Sequence, residues 1–120
     1  MQAAKLAILD LYDGTPNLGM GSIKEIVSRF RNQLEWEVFD VRGKAEVPDL
    51  SFDIYIASGG PGSPLDGDGI WDTRLFEWMD AVWQWNEENP YGKKDVFFIC
   101  HSFQMACMHF GLAKVTKRKR

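Results

Sequence analysis

Short apolar runs alternate along the chain with stretches in which apolar residues recur every three or four positions. The runs predict four strands, at residues 4–11, 36–41, 53–57 and 95–99. Helical spacing predicts a first helix on Ile23, Ile26, Val27, Phe30 and Leu34, and a long amphipathic helix on Leu75, Trp78, Met79, Val82 and Trp85. Strands that alternate with helices in this way indicate an α/β protein with an open, mainly parallel sheet and flanking helices.

Local signals predict where these helices begin and end. Ser22 is the predicted cap of the first helix, and Asp72 or Thr73 is the predicted cap of the long helix. The sequence Asn-Pro-Tyr-Gly at residues 89–92 predicts the end of the long helix. A third helix-compatible stretch, residues 101–110, follows the fourth strand directly.

Composition and charge narrow the class of protein. With 120 residues, of which 45% are hydrophobic, the chain predicts a single domain with its own core. The net charge of -3 disfavours general nucleic-acid binding, and the basic run at residues 117–120 is interpreted as a solvated tail. Tryptophans are expected in the core or at an interface between copies of the chain. The sequence is therefore also compatible with a homo-oligomer.

The cysteines and the absence of targeting signals indicate a compartment. No signal peptide or membrane-spanning stretch is visible, which favours a cytoplasmic protein without a membrane partner. Cys100 and Cys107 on one helix would lie about 10 Å apart by the helical rise. This separation is too large for a disulfide. Two unpaired cysteines are typical of a protein in a reducing compartment.

Two unusual features coincide at one predicted edge of the sheet. A loop rich in glycine and proline, residues 58–64, follows the third strand, and Cys100 follows the fourth. Open α/β sheets bind ligands at the carboxyl ends of their strands. A cysteine between a strand and a helix faces the first backbone amides of that helix, which stabilise a thiolate. Taken separately, a tight turn and a buried structural cysteine explain these features about as well.

If the third and fourth strands are neighbours in the sheet, this edge would form a site for acyl transfer. One backbone amide from the loop and one from His101 would then form an oxyanion hole beside the sulfur. Each donor of such a hole typically contributes about 3 kcal/mol to the stabilisation of the transition state.

These residues resemble the class I glutamine amidotransferases. Residues 58–64, Ser-Gly-Gly-Pro-Gly-Ser-Pro, are similar to the oxyanion-strand motif of that family. Residues 99–104, Ile-Cys-His-Ser-Phe-Gln, are similar to its nucleophile motif, usually Gly-Ile-Cys-x-Gly-x-Gln. The segments 8–13 and 110–115 fit the family as well. The resemblance implies a flavodoxin-like fold, with residues 1–120 as the amino-terminal part of a longer amidotransferase-like domain.

Carried over residue by residue, the resemblance makes Cys100 the nucleophile that attacks the side-chain amide of glutamine. The backbone amides of Gly60 and His101 become the oxyanion hole, and Gly59 and Gln104 become contacts for the bound glutamine. A γ-glutamyl thioester forms, ammonia leaves for a partner synthetase domain or subunit, and water releases glutamate. This chemistry requires neither a metal nor a cofactor.

Two positions depart from the family's pattern. Phe98 and Ser102 stand where the family usually has glycine, two residues on either side of Cys100. Small residues at a nucleophile elbow let the strand and the helix approach closely. We therefore expect Phe98 to face away from the turn, and Ser102 is the milder change.

The acidic residues near the loops are not expected to carry chemistry. Asp10 and Asp13 flank the first strand, and turn or capping roles are favoured over a place in a pocket. Asp66, Asp68 and Asp72 lack the spacing and the terminal glutamate of a calcium-binding EF-hand. No metal site is predicted.

The general base of the family is missing from these 120 residues. The family supplies it from a downstream His-x-Glu segment, whereas the histidines here are His101 and His109. The His101 side chain is expected to diverge from Cys100, and His109 would lie about 13 Å along the helix. We therefore expect a truncated, inactive part of the domain, with residues 112–115 starting another strand.

Two alternative interpretations stay open. The first is a γ-glutamyl hydrolase or a homoserine acyltransferase that uses the same cysteine with another acyl donor. The second is a non-catalytic binding domain on the same fold.

Overall fold

A four-stranded parallel sheet forms the centre of the structure, a computed structural model that describes residues 4–12, 18–30, 33–60, 69–99 and 101–111. The strands are β1 (Ala4–Asp10), β2 (Leu34–Asp40), β3 (Ile54–Ala57) and β4 (Asp95–Phe98). Their order in the sheet is β2-β1-β3-β4, and all three pairings are parallel. The predicted α/β fold, with a parallel sheet and flanking helices, is confirmed.

Strand β1 lies inside the sheet because it is apolar on both faces. Its four most buried residues, each 3% exposed or less, are Leu6, Ala7, Ile8 and Leu9. Alternate side chains of a strand point to opposite faces. Leu6 and Ile8 belong to a core on one face, and Ala7 and Leu9 belong to a larger core on the other. A strand covered on both faces reads as a continuous apolar run, which is what the sequence shows.

The helices cover these two faces unequally. Helix α1 (Leu18–Ser28) packs Met20, Ile23 and Val27 against the first face. Helix α3 (Trp71–Glu88) and helix α4 (His101–His109) contribute buried residues to the larger core on the second face. No helix within the described ranges combines the length and apolar character needed to cross a bilayer.

Several predicted boundaries of the helices are wrong. Ser22 lies inside α1, which begins at Leu18, so it does not cap that helix. The position before α3 is Ile70, which makes no side-chain cap hydrogen bond, so neither Asp72 nor Thr73 is the cap. The predicted end of the long helix is confirmed, since α3 ends at Glu88.

The second strand begins and ends earlier than predicted. Leu34, expected at the end of the first helix, is the first residue of β2, where it pairs with Ala4 of β1. Val41, expected at the end of the strand, begins the short helix α2 (Val41–Lys44). The Asp40 carboxylate caps α2 by accepting a hydrogen bond from the Gly43 amide at 2.9 Å. A helix of four residues is too short to show helical spacing in the sequence.

Tyr55 of β3 places a phenol in the larger core. Its side chain is 0% exposed, and its hydroxyl donates to the Asp49 carbonyl at 2.7 Å. The ring packs edge-on against Trp78, with ring centroids 5.3 Å apart. Burial raises the pKa of Tyr55 to about 12, and the carboxylates of Asp49 and Asp53 also raise it. The folded state therefore holds the neutral phenol more strongly than the unfolded chain does.

This difference in pKa predicts a loss of stability in alkali. An unfolded tyrosine ionises near pH 10. The contribution of Tyr55 is complete below that pH, and it falls between about pH 10 and pH 12, where only the unfolded state loses its proton. The expected loss across this window is about 3 kcal/mol. Urea unfolding followed by circular dichroism at a series of pH values measures it.

The control for this prediction is Tyr55→Phe, which keeps the ring and removes the ionisable group. All other titrating groups are shared by the two proteins, so their effects cancel in the difference between the curves. We expect the free energy of unfolding of the wild type, relative to that of Tyr55→Phe, to fall by about 3 kcal/mol between pH 10 and pH 12. Parallel pH profiles for the two proteins would contradict the prediction.

Strand β4 presents apolar side chains at its outer side. Within the described residues, β4 pairs with β3 and with no other strand. Phe97 and Ile99 are 59% and 38% exposed, and Ile26 on α1 is 55% exposed. These side chains line a shallow cavity of about 530 Å³ between α1 and the end of β4. An exposed apolar surface therefore lies beside the strand that precedes Cys100.

Candidate active site

Three strand ends meet at one edge of the sheet. The parallel register aligns Leu9 of β1, Ala57 of β3 and Phe98 of β4 in a single row. Because the strands run in the same direction, the residues that follow this row all leave the sheet at its carboxyl edge. The chain adds β2 on one side of β1 and β3 on the other, and ligands of open α/β sheets bind at such a switch in strand order.

The adjacency on which the sequence hypothesis depends is confirmed. Strands β3 and β4 are hydrogen-bonded neighbours, and the pairing extends one residue past β4, where the Ile99 amide donates to the Ala57 carbonyl at 3.1 Å. The glycine-containing loop therefore starts beside the turn that contains position 100. Cys100 itself, and residues 61–64 of the loop, lie outside the described residues.

Ser58 connects the start of the loop to strand β1. Its amide donates to the Leu9 carbonyl at 2.9 Å, and its hydroxyl accepts a hydrogen bond from the Leu11 amide at 2.8 Å. The same hydroxyl donates to the Gly59 carbonyl at 2.8 Å. The Ser58 side chain is 0% exposed. These bonds fix where the chain leaves β3 and therefore where Gly59 and Gly60 begin.

Ser102 connects the start of α4 to strand β3. Its side chain is 0% exposed, and its hydroxyl lies 2.8 Å from the Ala57 carbonyl, to which it donates. The hydroxyl also accepts a hydrogen bond from the Ile99 amide at 2.9 Å. The Ser102 amide donates to the Ile99 carbonyl at 3.2 Å, which closes the turn around position 100. Ser102 is thus a fully bonded part of the turn.

Phe98 fits the turn because its ring points into the larger core. The side chain is half-buried, and its ring meets that of Trp78 edge-on at a centroid distance of 6.1 Å. The expectation that Phe98 faces away from the turn therefore agrees with the structure. The bulky residue is accommodated by α3 and leaves the carboxyl edge to smaller groups.

The other predicted site residues flank this turn. Gly59 is buried and Gly60 is half-buried at the end of β3, and Gln104 is exposed on α4. His101 begins α4, and its side chain lies outside the described set. Gly59 and Gly60 follow β3, and His101 follows the neighbouring strand, so the structure brings the two halves of the predicted oxyanion hole to one sheet edge.

Sequence reasoning missed the bonding role of the two buried serines. Ser58 was part of the predicted loop, and Ser102 was interpreted only as a mild departure from glycine. A hydroxyl residue in the first turn of a helix is a recognisable signal for a hydrogen bond to nearby backbone. Nothing local indicates that the acceptor of Ser102 would be Ala57, which is 45 residues away.

Asp10 takes part in a turn at the end of β1. Its carboxylate accepts a hydrogen bond from the Tyr12 amide at 2.9 Å, which is the turn role expected for it. Asp13, Asp66 and Asp68 lie outside the described residues. Among the residues that are described, no group of three His, Cys, Asp or Glu side chains could hold a metal ion.

His109 is engaged at the far end of α4. Its Nε2 lies 2.8 Å from Oδ1 of Asp80 on α3, and its ring stacks on Phe76 at a centroid distance of 4.6 Å. Nine residues separate it from position 100, a span of roughly 13 Å by the helical rise. His109 therefore joins α4 to α3, and its position agrees with the expectation that it is not the base.

Cys107 lies away from the carboxyl edge. It is a free, half-buried cysteine that lines a cavity of about 360 Å³ between α3, β4 and α4. Most of that cavity is lined by apolar side chains, including Trp83 and Phe110. Cys107 therefore lies at the margin of the core.

Comparison with known proteins shows the fold alone. No model of a known protein family matches the chain, and no curated protein is significantly similar in sequence. Among solved structures, the chain is similar to the crystal structure of SMU.1228c, with a TM-score of 0.57 and 17% sequence identity over 88% of this chain. The chain spans 43% of the length of SMU.1228c.

Proposed function

We propose that this chain is the nucleophile-bearing part of a glutamine amidotransferase-like domain. In this proposal Cys100 hydrolyses the side-chain amide of glutamine, and the ammonia is used by a partner synthetase domain or subunit in the cytoplasm. The observation that carries the proposal is the hydrogen-bonded adjacency of β3 and β4. It brings the Ser58-Gly59-Gly60 loop and the turn around position 100 to one sheet edge.

The proposed reaction has two covalent steps. The Cys100 thiolate attacks the side-chain carbonyl carbon of glutamine, and the oxyanion that develops accepts hydrogen bonds from the Gly60 and His101 amides. The carbon–nitrogen bond then breaks, ammonia leaves with a proton from the general acid, and a γ-glutamyl thioester remains. Water attacks the thioester, the carbon–sulfur bond breaks, and glutamate leaves. Gly59 and Gln104 are proposed contacts for the substrate.

The base of this reaction is assigned to a segment outside residues 1–120. His109 is held by Asp80 and Phe76 at the far end of α4, which supports its exclusion. Because the general base is assigned elsewhere, these 120 residues are expected to form the thioester poorly and to show little or no turnover of glutamine. Steady glutamate production by the purified protein would contradict this part of the proposal.

A covalent glutamine analogue tests the proposal directly. The protein is incubated with a diazo-ketone analogue of glutamine. Its diazo carbon takes up a proton, the thiolate attacks that carbon, dinitrogen leaves and a thioether forms. We expect one adduct by intact mass, mapped to Cys100 by peptide digestion, and we expect excess glutamine to slow its formation. Iodoacetamide, which has no glutamine-like portion, serves as the control for the general reactivity of the Cys100 thiol.

The outcomes separate the proposal from its alternatives. An adduct at Cys100 that glutamine does not slow would favour another acyl donor, such as a γ-glutamyl peptide or an acyl ester. The absence of any adduct, with the protein folded and Cys100 no more reactive than a free thiol, would favour a non-catalytic binding domain.

A further inference from the structure

Ser58 and Ser102 supply the buried polar side chains of the described part of the chain, and both are 0% exposed. Buried hydroxyls are found where they make hydrogen bonds, because an unbonded one loses its interactions with water. Both of these serines are bonded, and both lie at the carboxyl edge of the sheet. Neither contributes to the apolar cores. Their position therefore points to a role at this edge.

Hydrogen bonds to the Ala57 carbonyl come from residues on both sides of position 100. The Ala57 carbonyl accepts the Ile99 amide at 3.1 Å and the Ser102 hydroxyl at 2.8 Å. One donor thus comes from the residue before Cys100 and the other from the second residue after it. Ala57 is also the last residue of β3, directly before the Ser58-Gly59-Gly60 loop. A single carbonyl therefore fixes the spacing between the turn and the loop.

Strand β4 and helix α4 are also joined through this side chain. The Ser102 hydroxyl accepts the Ile99 amide at 2.9 Å, so it closes the turn as well as attaching it to β3. Neither glycine nor alanine at this position could supply the donor or the acceptor. At such an elbow, glycine lets the strand and the helix approach closely. Here the hydrogen bonds of the serine hold the two elements together instead.

We propose that Ser102 is a positioning residue, whose buried hydroxyl holds the start of α4 against the end of β3 and thereby fixes Cys100 beside the Gly59-Gly60 loop. The proposal rests on the proposed function in one respect, that Cys100 is the reacting group. In this proposal the first amides of α4 stabilise the thiolate only while the turn holds the start of the helix in place. Loosening the turn would therefore weaken that stabilisation.

The test compares Ser102→Ala with Ser58→Ala, which removes the other buried hydroxyl from the same sheet edge. The first measurement is hydrogen exchange of the Ile99 amide by NMR. We expect its rate to rise about tenfold in Ser102→Ala, which leaves this amide only its longer bond to the Ala57 carbonyl. No such increase is expected in Ser58→Ala, since Ser58 does not bond the turn. This measurement does not depend on any chemistry at Cys100.

The second measurement is the alkylation rate of Cys100 as a function of pH, with Cys107 distinguished by peptide mapping. In Ser102→Ala we expect the pH midpoint to rise by about one unit and the rate at neutral pH to fall about tenfold. Ser102→Thr, which keeps the hydroxyl, should restore the wild-type midpoint. Should the alanine variant fail to fold, Ser102→Gly takes its place.

The two measurements separate failure of this inference from failure of the proposed function. An unchanged Ile99 exchange rate in Ser102→Ala overturns the positioning role. Faster exchange with an unchanged Cys100 midpoint, in a protein whose wild-type thiol is activated, also overturns it and leaves a purely structural serine. A wild-type Cys100 that alkylates like a free thiol overturns the proposed function, and Ile99 exchange then decides whether Ser102 holds the turn.

Discussion

Cys100→Ser is expected to abolish labelling by the diazo-ketone glutamine analogue, with a loss of at least about a thousandfold in rate. A serine hydroxyl has a pKa far above neutral, so almost none of it is ionised to attack the analogue. Serine is also close to cysteine in size, so the turn closed by Ile99 and Ser102 should persist. The measurement is intact mass against time at several concentrations of the analogue.

Cys107→Ser is the matched control for this substitution. It makes the same chemical change at the other thiol, which lies on α4 and away from the carboxyl edge. We expect it to label at the wild-type rate and to remain protected by glutamine. Labelling that survives in Cys100→Ser but disappears in Cys107→Ser would refute the assignment of the nucleophile.

Trp78→Ala is expected to lower the free energy of unfolding by about 3–5 kcal/mol, the usual cost of removing a large aromatic side chain from a core. Trp78 is 3% exposed, and its ring packs edge-on against Tyr55 and Phe98. It therefore joins α3 to two strands of the sheet. A domain of this size is stable by roughly 5–15 kcal/mol, so this one change removes a large share. Urea unfolding followed by circular dichroism measures the loss.

Trp83→Ala provides the control, since Trp83 lies on the same helix but is 55% exposed. Its main aromatic contact is Phe110, at a centroid distance of 4.9 Å. We expect a cost of about 1 kcal/mol or less, because most of the ring already contacts water. Equal losses for the two variants would show that α3 does not pack on the sheet through Trp78.

A second substitution at the same position separates packing from polarity. The Trp78 Nε1 atom is buried and has no hydrogen-bond partner within the described part of the chain. Trp78→Phe removes this unpaired donor and keeps an aromatic ring. We therefore expect its cost to be well below that of Trp78→Ala, as judged from the same urea curves.

The fold was predictable where the apolar pattern is unambiguous. The run in β1 is continuous because the strand is covered on both faces, and α3 stops where Asn89 and Pro90 interrupt the helical spacing. The boundaries that failed depend on contacts far along the chain. Leu34 has the spacing of a helix residue, yet it lies in β2 because it pairs with Ala4 of β1.

The residues of the candidate site were predictable from the sequence, but the strand order and the hydrogen bonds that hold them together were not. The Gly59-Gly60 loop and Cys100 are recognisable because glycines and a cysteine at strand ends are unusual residues. Whether they lie at neighbouring strand ends depends on strand order, which no local pattern contains. The hydrogen bond from Ser102 to Ala57 depends on that order too, so it follows only from the folded chain.

The strand order has a consequence for how the protein is made. A ribosome completes β1, α1 and β2 first, and these form a parallel pair. Strand β3 emerges later and adds to the free side of β1, and β4 then adds to β3. After β1, each of the described strands therefore finds a partner already synthesised, and none of the four must be inserted between two others. The sheet can grow outward in the order of translation, which shortens the time that its apolar strands spend unpaired.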